Sequence, residues 1–152
     1  MIHASAGIVD GALTRDLRRT VLRPAAAVTD ALPGDDRTDL IHFAVFDDLA
    51  GALSTCFIYP ESCPWRPQNP GWHLRQMATA RTHRGQGFGG AVIAATLDYI
   101  AATGGGTLWC NARAAAITFY QRAGFIGHGD LFTDEVHTIA HLRMGREVAA
   151  AN

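Results

Sequence analysis

The chain has 152 residues, 48% hydrophobic and 18% charged, which suffices for one domain, residues 1–152, with a buried core. A formal net charge of −1 and a pI near 6.6 leave no electrostatic footprint for nucleic acid or an anionic membrane. The 13 basic residues are all arginines, which excludes a lysine Schiff base and a phosphate-loop lysine within this chain. Cys56, Cys63 and Cys110 form no C-x-x-C pair and read as free thiols of a reducing compartment. Met1–Ser5 lacks a basic segment followed by an apolar run, and no apolar stretch approaches membrane-spanning length. The expectation is a cytoplasmic protein without membrane association.

Thr14 to Leu22 places Leu17, Val21 and Leu22 among charges and predicts a short amphipathic helix ending at Arg23-Pro24. Its arginines, Arg15, Arg18, Arg19 and Arg23, read as a solvated face. Ala31 to Asp36 is a turn-rich connector. Ile41 to Phe46 and Ala52 to Tyr59 are rich in β-formers and predict a hairpin. A loop with four prolines, Pro60 to Pro70, is long enough to serve function. Trp72 to Ala80 reads as a strand, and Phe88 to Thr103 as a helix stopped by Gly104-Gly105-Gly106. Val92, Ala95, Thr96 and Tyr99 recur on one face of that helix. Thr107 to Cys110 predicts a short strand. Ala114 to Ala123 predicts a helix with Ala116, Phe119, Tyr120 and Ala123 in line and Gly124 as its cap. Phe125 to Gly129 and Val136 to Met144 predict closing strands. The order α, β, β, β, α, β, α, β, β implies an α/β fold: a mixed sheet with helices packed on it.

Between the third strand and the long helix runs Arg84-Gly85-Gln86-Gly87-Phe88-Gly89-Gly90. Glycines let the backbone turn several N–H groups toward one point. The first turn of a helix adds unpaired N–H groups and a partial positive charge. Together with Arg84 these suit a phosphate or pyrophosphate, and hence a nucleotide-containing cofactor. Gly85, Gly87 and Gly90 fit G-x-G-x-x-G, but a dinucleotide fold would place an acid on the ribose near residues 105–111, where no carboxylate stands.

The run also spells R-x-x-G-x-G, as Arg84-x-x-Gly87-x-Gly89. With Leu74-Arg75-Gln76-Met77-Ala78-Thr79 before it and Ala116-x-x-Phe119-Tyr120-x-x-x-Gly124-Phe125 after it, the chain resembles the GNAT (Gcn5-related N-acetyltransferase) superfamily. The resemblance implies a GNAT-like acyl-CoA N-acyltransferase fold with helices on both faces of a central mixed sheet. It implies acetyl-CoA as co-substrate, with the pyrophosphate held by Arg84, Gly85, Gln86, Gly87, Phe88, Gly89 and Gly90. The strand segment Met77, Ala78 and Thr79 would bind the pantetheine arm much as an added strand does. Many members carry asparagine seven residues before the motif tyrosine. Here that position is Arg113, with Asn111 two residues earlier, and either takes the contact. The resemblance also allows a homodimer.

Transfer of an acetyl group to an amine needs a base for the amine, donors for the oxyanion and an acid for the thiolate. Tyr120 stands where the family places its acid; packing beside Ala116 and Ala123 is the alternative reading. For the base, His73 at the start of the strand and Glu61 at the head of the proline-rich loop are candidates, and a chain of waters is a third. Backbone N–H groups around Met77–Thr79 would face the oxyanion. Phe88 reads equally as core or cofactor contact, and Trp65 as packing or as part of an acceptor pocket. His137 and His141 lack further ligands at zinc spacing, so no metal is expected. Asp134 and Glu135 read as a solvated turn or as an attraction for a cationic amine. The acceptor is a small-molecule or peptide amine. A non-catalytic acyl-CoA sensor and a nicotinamide-binding oxidoreductase are the competing functions.

Overall fold

The β-rich stretches and the three helical stretches of the sequence become strands and helices in a computed structural model, which describes residues 5–48, 51–133 and 139–152. Seven strands form one mixed sheet in the order β1-β2-β3-β4-β5-β7-β6. The described chain divides into two compact units. One comprises the residues up to Tyr59 with Gln76–Tyr99, the other Pro60–Arg75 with the residues from Ile100 onward.

In the first unit, Ile41–Asp47 (β2) and Gly51–Pro60 (β3) make the expected hairpin, with His42 opposite Phe57 and Phe43 opposite Cys56. Leu53–Tyr59 is buried without a break. A strand with one wet face would alternate, so both faces of β3 are covered. On the face that carries Phe43 and Cys56 lies the helix Phe88–Ala102 (α2). The Phe43 and Tyr99 rings meet edge-on at 5.8 Å, and Cys56 Sγ lies 3.5 Å from Thr96 Oγ1. On the face that carries His42 and Phe57 lies a 3-10 turn, Gly11–Thr14, which leads into the helix Arg15–Leu22 (α1). A methyl group at Gly11 would strike the His42 ring.

Two expectations shift here. A strand Gly7–Val9 (β1) pairs antiparallel with β2, although three residues with no alternation gave no signal. The buried row of α2 is Val92, Ile93, Thr96 and Ile100, while Ala95 and Tyr99 are half-buried. The larger apolar side chains Ile93 and Ile100 rotate the face.

Strand Gly71–Thr79 (β4) starts in the second unit and ends in the first. In the second unit it runs parallel to Gly106–Arg113 (β5), with Trp72 opposite Leu108 and His73 opposite Trp109. β5 extends past Cys110 because its whole length pairs antiparallel with Ala140–Val148 (β7), from Gly106↔Val148 to Arg113↔His141. Ile126–Thr133 (β6) pairs with the other side of β7. Between β5 and β6, a 3-10 turn Ala114–Ala116 opens the helix Ile117–Arg122 (α3). Gly124, at φ 86°, follows α3 in the left-handed conformation that glycine adopts without strain. Leu108, Trp109, Ala112, Tyr120, Phe125 and Met144 form this unit's core. The second closing strand is described from Ala140; Val136–Thr138 of that expectation lies outside the described residues. Among the described residues no helix is long and apolar enough to cross a membrane.

Candidate functional site

The glycine run lies in the first unit. After the turn Arg81–His83, Arg84 is extended, and Gly85 and Gly87 adopt φ 76° and 87°. Those are left-handed conformations closed to most side chains without strain. They set a reversal that ends where α2 begins at Phe88, the Ala91 N–H donating to Gly87 O at 3.0 Å. The first-turn N–H groups of α2 have no acceptor within the helix, so they present donors and positive dipole together. Arg84, Gly85, Gln86, Gly87 and Gly90 are exposed. A methyl group built at Gly85, Gly87 or Gly90 would meet nothing within 4 Å. Gly90 has neither a positive φ nor a close neighbour, so nothing among the described residues accounts for glycine there. Phe88 is buried and belongs to the core.

Ahead of the loop, β4 carries Met77, Ala78 and Thr79. Ala78 is buried, Met77 and Thr79 are half-buried, and the Thr79 hydroxyl lies 2.9 Å from that of Ser54. Gln76 stands at φ 53°. Its side chain meets Arg18, which is only 3% exposed. The reading of Arg18 as part of a solvated face is therefore corrected. Asp35, Thr14 and Gln76 supply polar partners within reach of its guanidinium, and those partners permit burial.

The second unit brings together two residues that the sequence offered as rival bases. His73 Nδ1 lies 2.6 Å from Glu61 Oε2. The His73 ring stacks on Trp109 with centroids 3.8 Å apart and planes 11° from parallel. Trp109 Nε1 donates to the Glu61 carbonyl at 2.9 Å, fixing the head of the proline-rich loop. The Glu61 N–H donates to Gly71 O, and a methyl group at Gly71 would strike the Glu61 carbonyl. An ionised carboxylate can only accept, so beside ionised Glu61 the Nδ1–H would donate, and in the neutral imidazole Nε2 would be the basic nitrogen. A histidine oriented by a carboxylate is the arrangement that a general base requires. Trp65 stacks on His128 at 4.7 Å and meets Trp109 edge-on. Trp109 packs, as a tryptophan is expected to, whereas His128 and Gly71 are the parts of this arrangement that sequence reasoning missed; only the aromatic content of the loop hinted at it.

Tyr120 is 4% exposed, with its ring against Phe119 and Phe125 at 5.2 and 5.1 Å. Asn111 is exposed on β5 opposite Arg143, and Arg113 is half-buried opposite His141. His141 Nδ1 lies 2.8 Å from Ile139 O and its ring stacks on Phe132. Asp134, Glu135 and His137 lie outside the described residues.

Residues 14–125 match the model of the Acetyltransferase (GNAT) family, which covers more than half of the chain. The chain belongs to the GNAT family. A relative in Bacillus subtilis (strain 168), described as the uncharacterized N-acetyltransferase YitI, is 28% identical over 120 residues, 78% of this chain and 80% of that protein. Among solved structures, this GNAT chain is similar in fold to Escherichia coli ElaA, with TM-score 0.71 and 17% identity over 97% of this chain and 100% of that one. It is likewise similar to an aminoglycoside 6′-N-acetyltransferase complexed with coenzyme A, with TM-score 0.74 and 12% identity over 97% and 98%. Membership of the GNAT family makes the protein an acyltransferase and sets the nicotinamide alternative aside.

Proposed function

We propose that this GNAT chain transfers an acetyl group from acetyl-CoA directly to a primary amine of a small molecule or protein. The observation that carries the reading is the Glu61–His73 pair, because a protein that only senses acyl-CoA has no use for an oriented base. In this reading Arg84 and the N–H groups of Gly85–Gly90 hold the pyrophosphate. Met77–Thr79 take the pantetheine arm, and Asn111 or Arg113 adds a side-chain contact.

A lysine-like amine has a pKa of about 10.4 and enters protonated, so it must lose a proton before it can attack. His73 Nε2 accepts that proton, and the Glu61 carboxylate stabilises the imidazolium that results. The amine nitrogen then bonds to the thioester carbon, and the carbonyl oxygen becomes an oxyanion facing N–H groups of Met77–Thr79. Collapse breaks the C–S bond, the Tyr120 hydroxyl donates its proton to the departing thiolate, and the remaining extra proton on the attacking nitrogen passes back to the tyrosinate, leaving a neutral amide and the CoA thiol. Three buried free cysteines accord with a reducing, cytoplasmic setting.

The test is thiol release from acetyl-CoA across a panel of amines, with product mass shifts, for wild type and Tyr120→Phe. Amine-dependent release by wild type, strongly reduced in the variant, is expected. If both proteins bind CoA and no amine accelerates release, the protein is a non-catalytic acyl-CoA sensor.

A further inference from the structure

Among the described residues, Gln76 is the one non-glycine residue with positive φ, at 53°. It sits immediately before Met77–Thr79, inside a strand. A left-handed residue there turns the flanking peptide planes out of the ladder and re-aims the groups that follow. Such a conformation is strained for any residue with a Cβ and persists only where its surroundings over-determine it.

The surroundings of Gln76 do so through one guanidinium. Arg18 Nη1 donates to Gln76 Oε1 at 2.9 Å, and Gln76 Nε2 donates to the Pro33 carbonyl at 2.5 Å. Both ends of the side-chain amide are therefore pinned. Arg18 Nη1 also donates to Asp35 Oδ1 at 2.9 Å, Nε to Thr14 Oγ1 at 3.0 Å and Nη2 to the Gly11 carbonyl at 3.2 Å. Asp35 is held in turn by Arg15 and by the Leu32 N–H. One planar fork thus ties the 3-10 turn, the connector and β4 together, a geometry that a single ammonium point charge does not reproduce.

We propose that Arg18 is a positioning residue for donor binding: through Gln76 it holds β4 in the kink that aims Met77–Thr79 at acyl-CoA. The proposal rests on the donor-site reading above. It differs from a merely stabilising role for Arg18 in one respect: a residue that adopts positive φ without help makes the clamp dispensable for binding.

The experiment is calorimetric titration of the full chain with CoA, alongside thermal melts. The proteins are wild type, Arg84→Ala, Arg18→Met, Gln76→Ala, Gln76→Gly and the double variant Arg18→Met/Gln76→Gly. Arg18→Met and Gln76→Ala are each expected to weaken CoA binding by about tenfold, as a misdirected binding group does. Gln76→Gly stays within about threefold of wild type, since glycine accepts the conformation freely. The double variant recovers most of the affinity lost in Arg18→Met while its melting temperature stays low. If wild type fails to bind CoA, or Arg84→Ala binds as tightly as wild type, the donor-site reading fails and the proposal falls with it. If Arg84→Ala weakens binding but Gln76→Ala does not, or Gln76→Gly is as weak as Gln76→Ala, the positioning role alone is overturned. Should Arg18→Met not fold, the two Gln76 variants decide by themselves, because neither alters Arg18.

Discussion

His73 Nδ1 and Glu61 Oε2 lie 2.6 Å apart, joined across 12 residues of chain and laid against the face of Trp109. The contact orients the imidazole, so its loss and the loss of the ring itself have different consequences. His73→Ala is expected to lower kcat/KM by about 10²–10⁴-fold, the range of general-base contributions. Glu61→Gln keeps the shape and removes the charge, and a smaller loss is expected, roughly tenfold to a hundredfold. Steady-state kinetics with a fixed amine measures both. Wild-type rates in both variants would assign the base to water.

Tyr120→Phe keeps the ring that packs on Phe119 and Phe125 and removes only the hydroxyl. We expect kcat to fall by about 10²-fold or more while the Kd for CoA is unchanged. A variant with wild-type kcat would reduce Tyr120 to a packing residue.

Gly90 tests whether a ligand explains the open loop. Alanine meets no neighbour there and is a better helix former by about 0.5–1 kcal/mol, so Gly90→Ala should raise Tm by a few degrees. The same methyl group projects where the donor is proposed to lie, so CoA binding should weaken. Gly87→Ala is the contrast: at φ 87° the added Cβ is strained and the protein should lose stability. Tight CoA binding by Gly90→Ala would place the ligand elsewhere.

Acid should destabilise the fold in two steps, both with the same sign. Burial, with Arg18 adding to it, holds the His42 pKa below its ordinary 6.5. The unfolded chain then binds the proton more readily, so stability is lost as pH falls below about 6.5. Asp35 follows at lower pH. Its burial would raise the pKa, but hydrogen bonds from Arg18, the Leu32 N–H and Arg15, with the Arg18 charge, hold it below 3.8. That contribution is present above 3.8 and is lost as pH falls through the lowered value. Melting curves between pH 4 and 8 check the first step, and His42→Phe should flatten the slope near pH 6.

Burial pushes the Cys56 thiol up to about 12, against a small opposing effect of its Thr96 hydrogen bond. The thiolate is the reactive form, so iodoacetamide at pH 8 should leave Cys56 unlabelled in the native protein. Peptide mapping should find it alkylated only as denaturant unfolds the chain.

The hairpin, the long helix and its glycine stop were legible because each is written in neighbouring residues: β-formers around a turn, a 3.6 period, then Gly104–Gly106, all at positive φ. Less legible were the features that neighbouring residues do not control. Gly7–Val9 becomes a strand only because β2 offers it an edge. Asn111–Arg113 extends β5 because β7 pairs with it, not because its side chains favour a strand. Arg18 reads as one more charge on an arginine-rich helix until Asp35 and Gln76 arrive from elsewhere in the chain.

By itself the sequence determined where the glycine-rich loop lies and which family the chain resembles. Glycine freedom, a helix start and an adjacent arginine are local properties, readable at positions 84–90 without any partner. Only the tertiary structure decided that Glu61 and His73 lie in contact, and that Arg18 reaches Gln76 across 58 residues. Those contacts depend on which segments the fold makes neighbours. Hydrogen-bonding capacity is written in a residue, whereas its partner is chosen by packing.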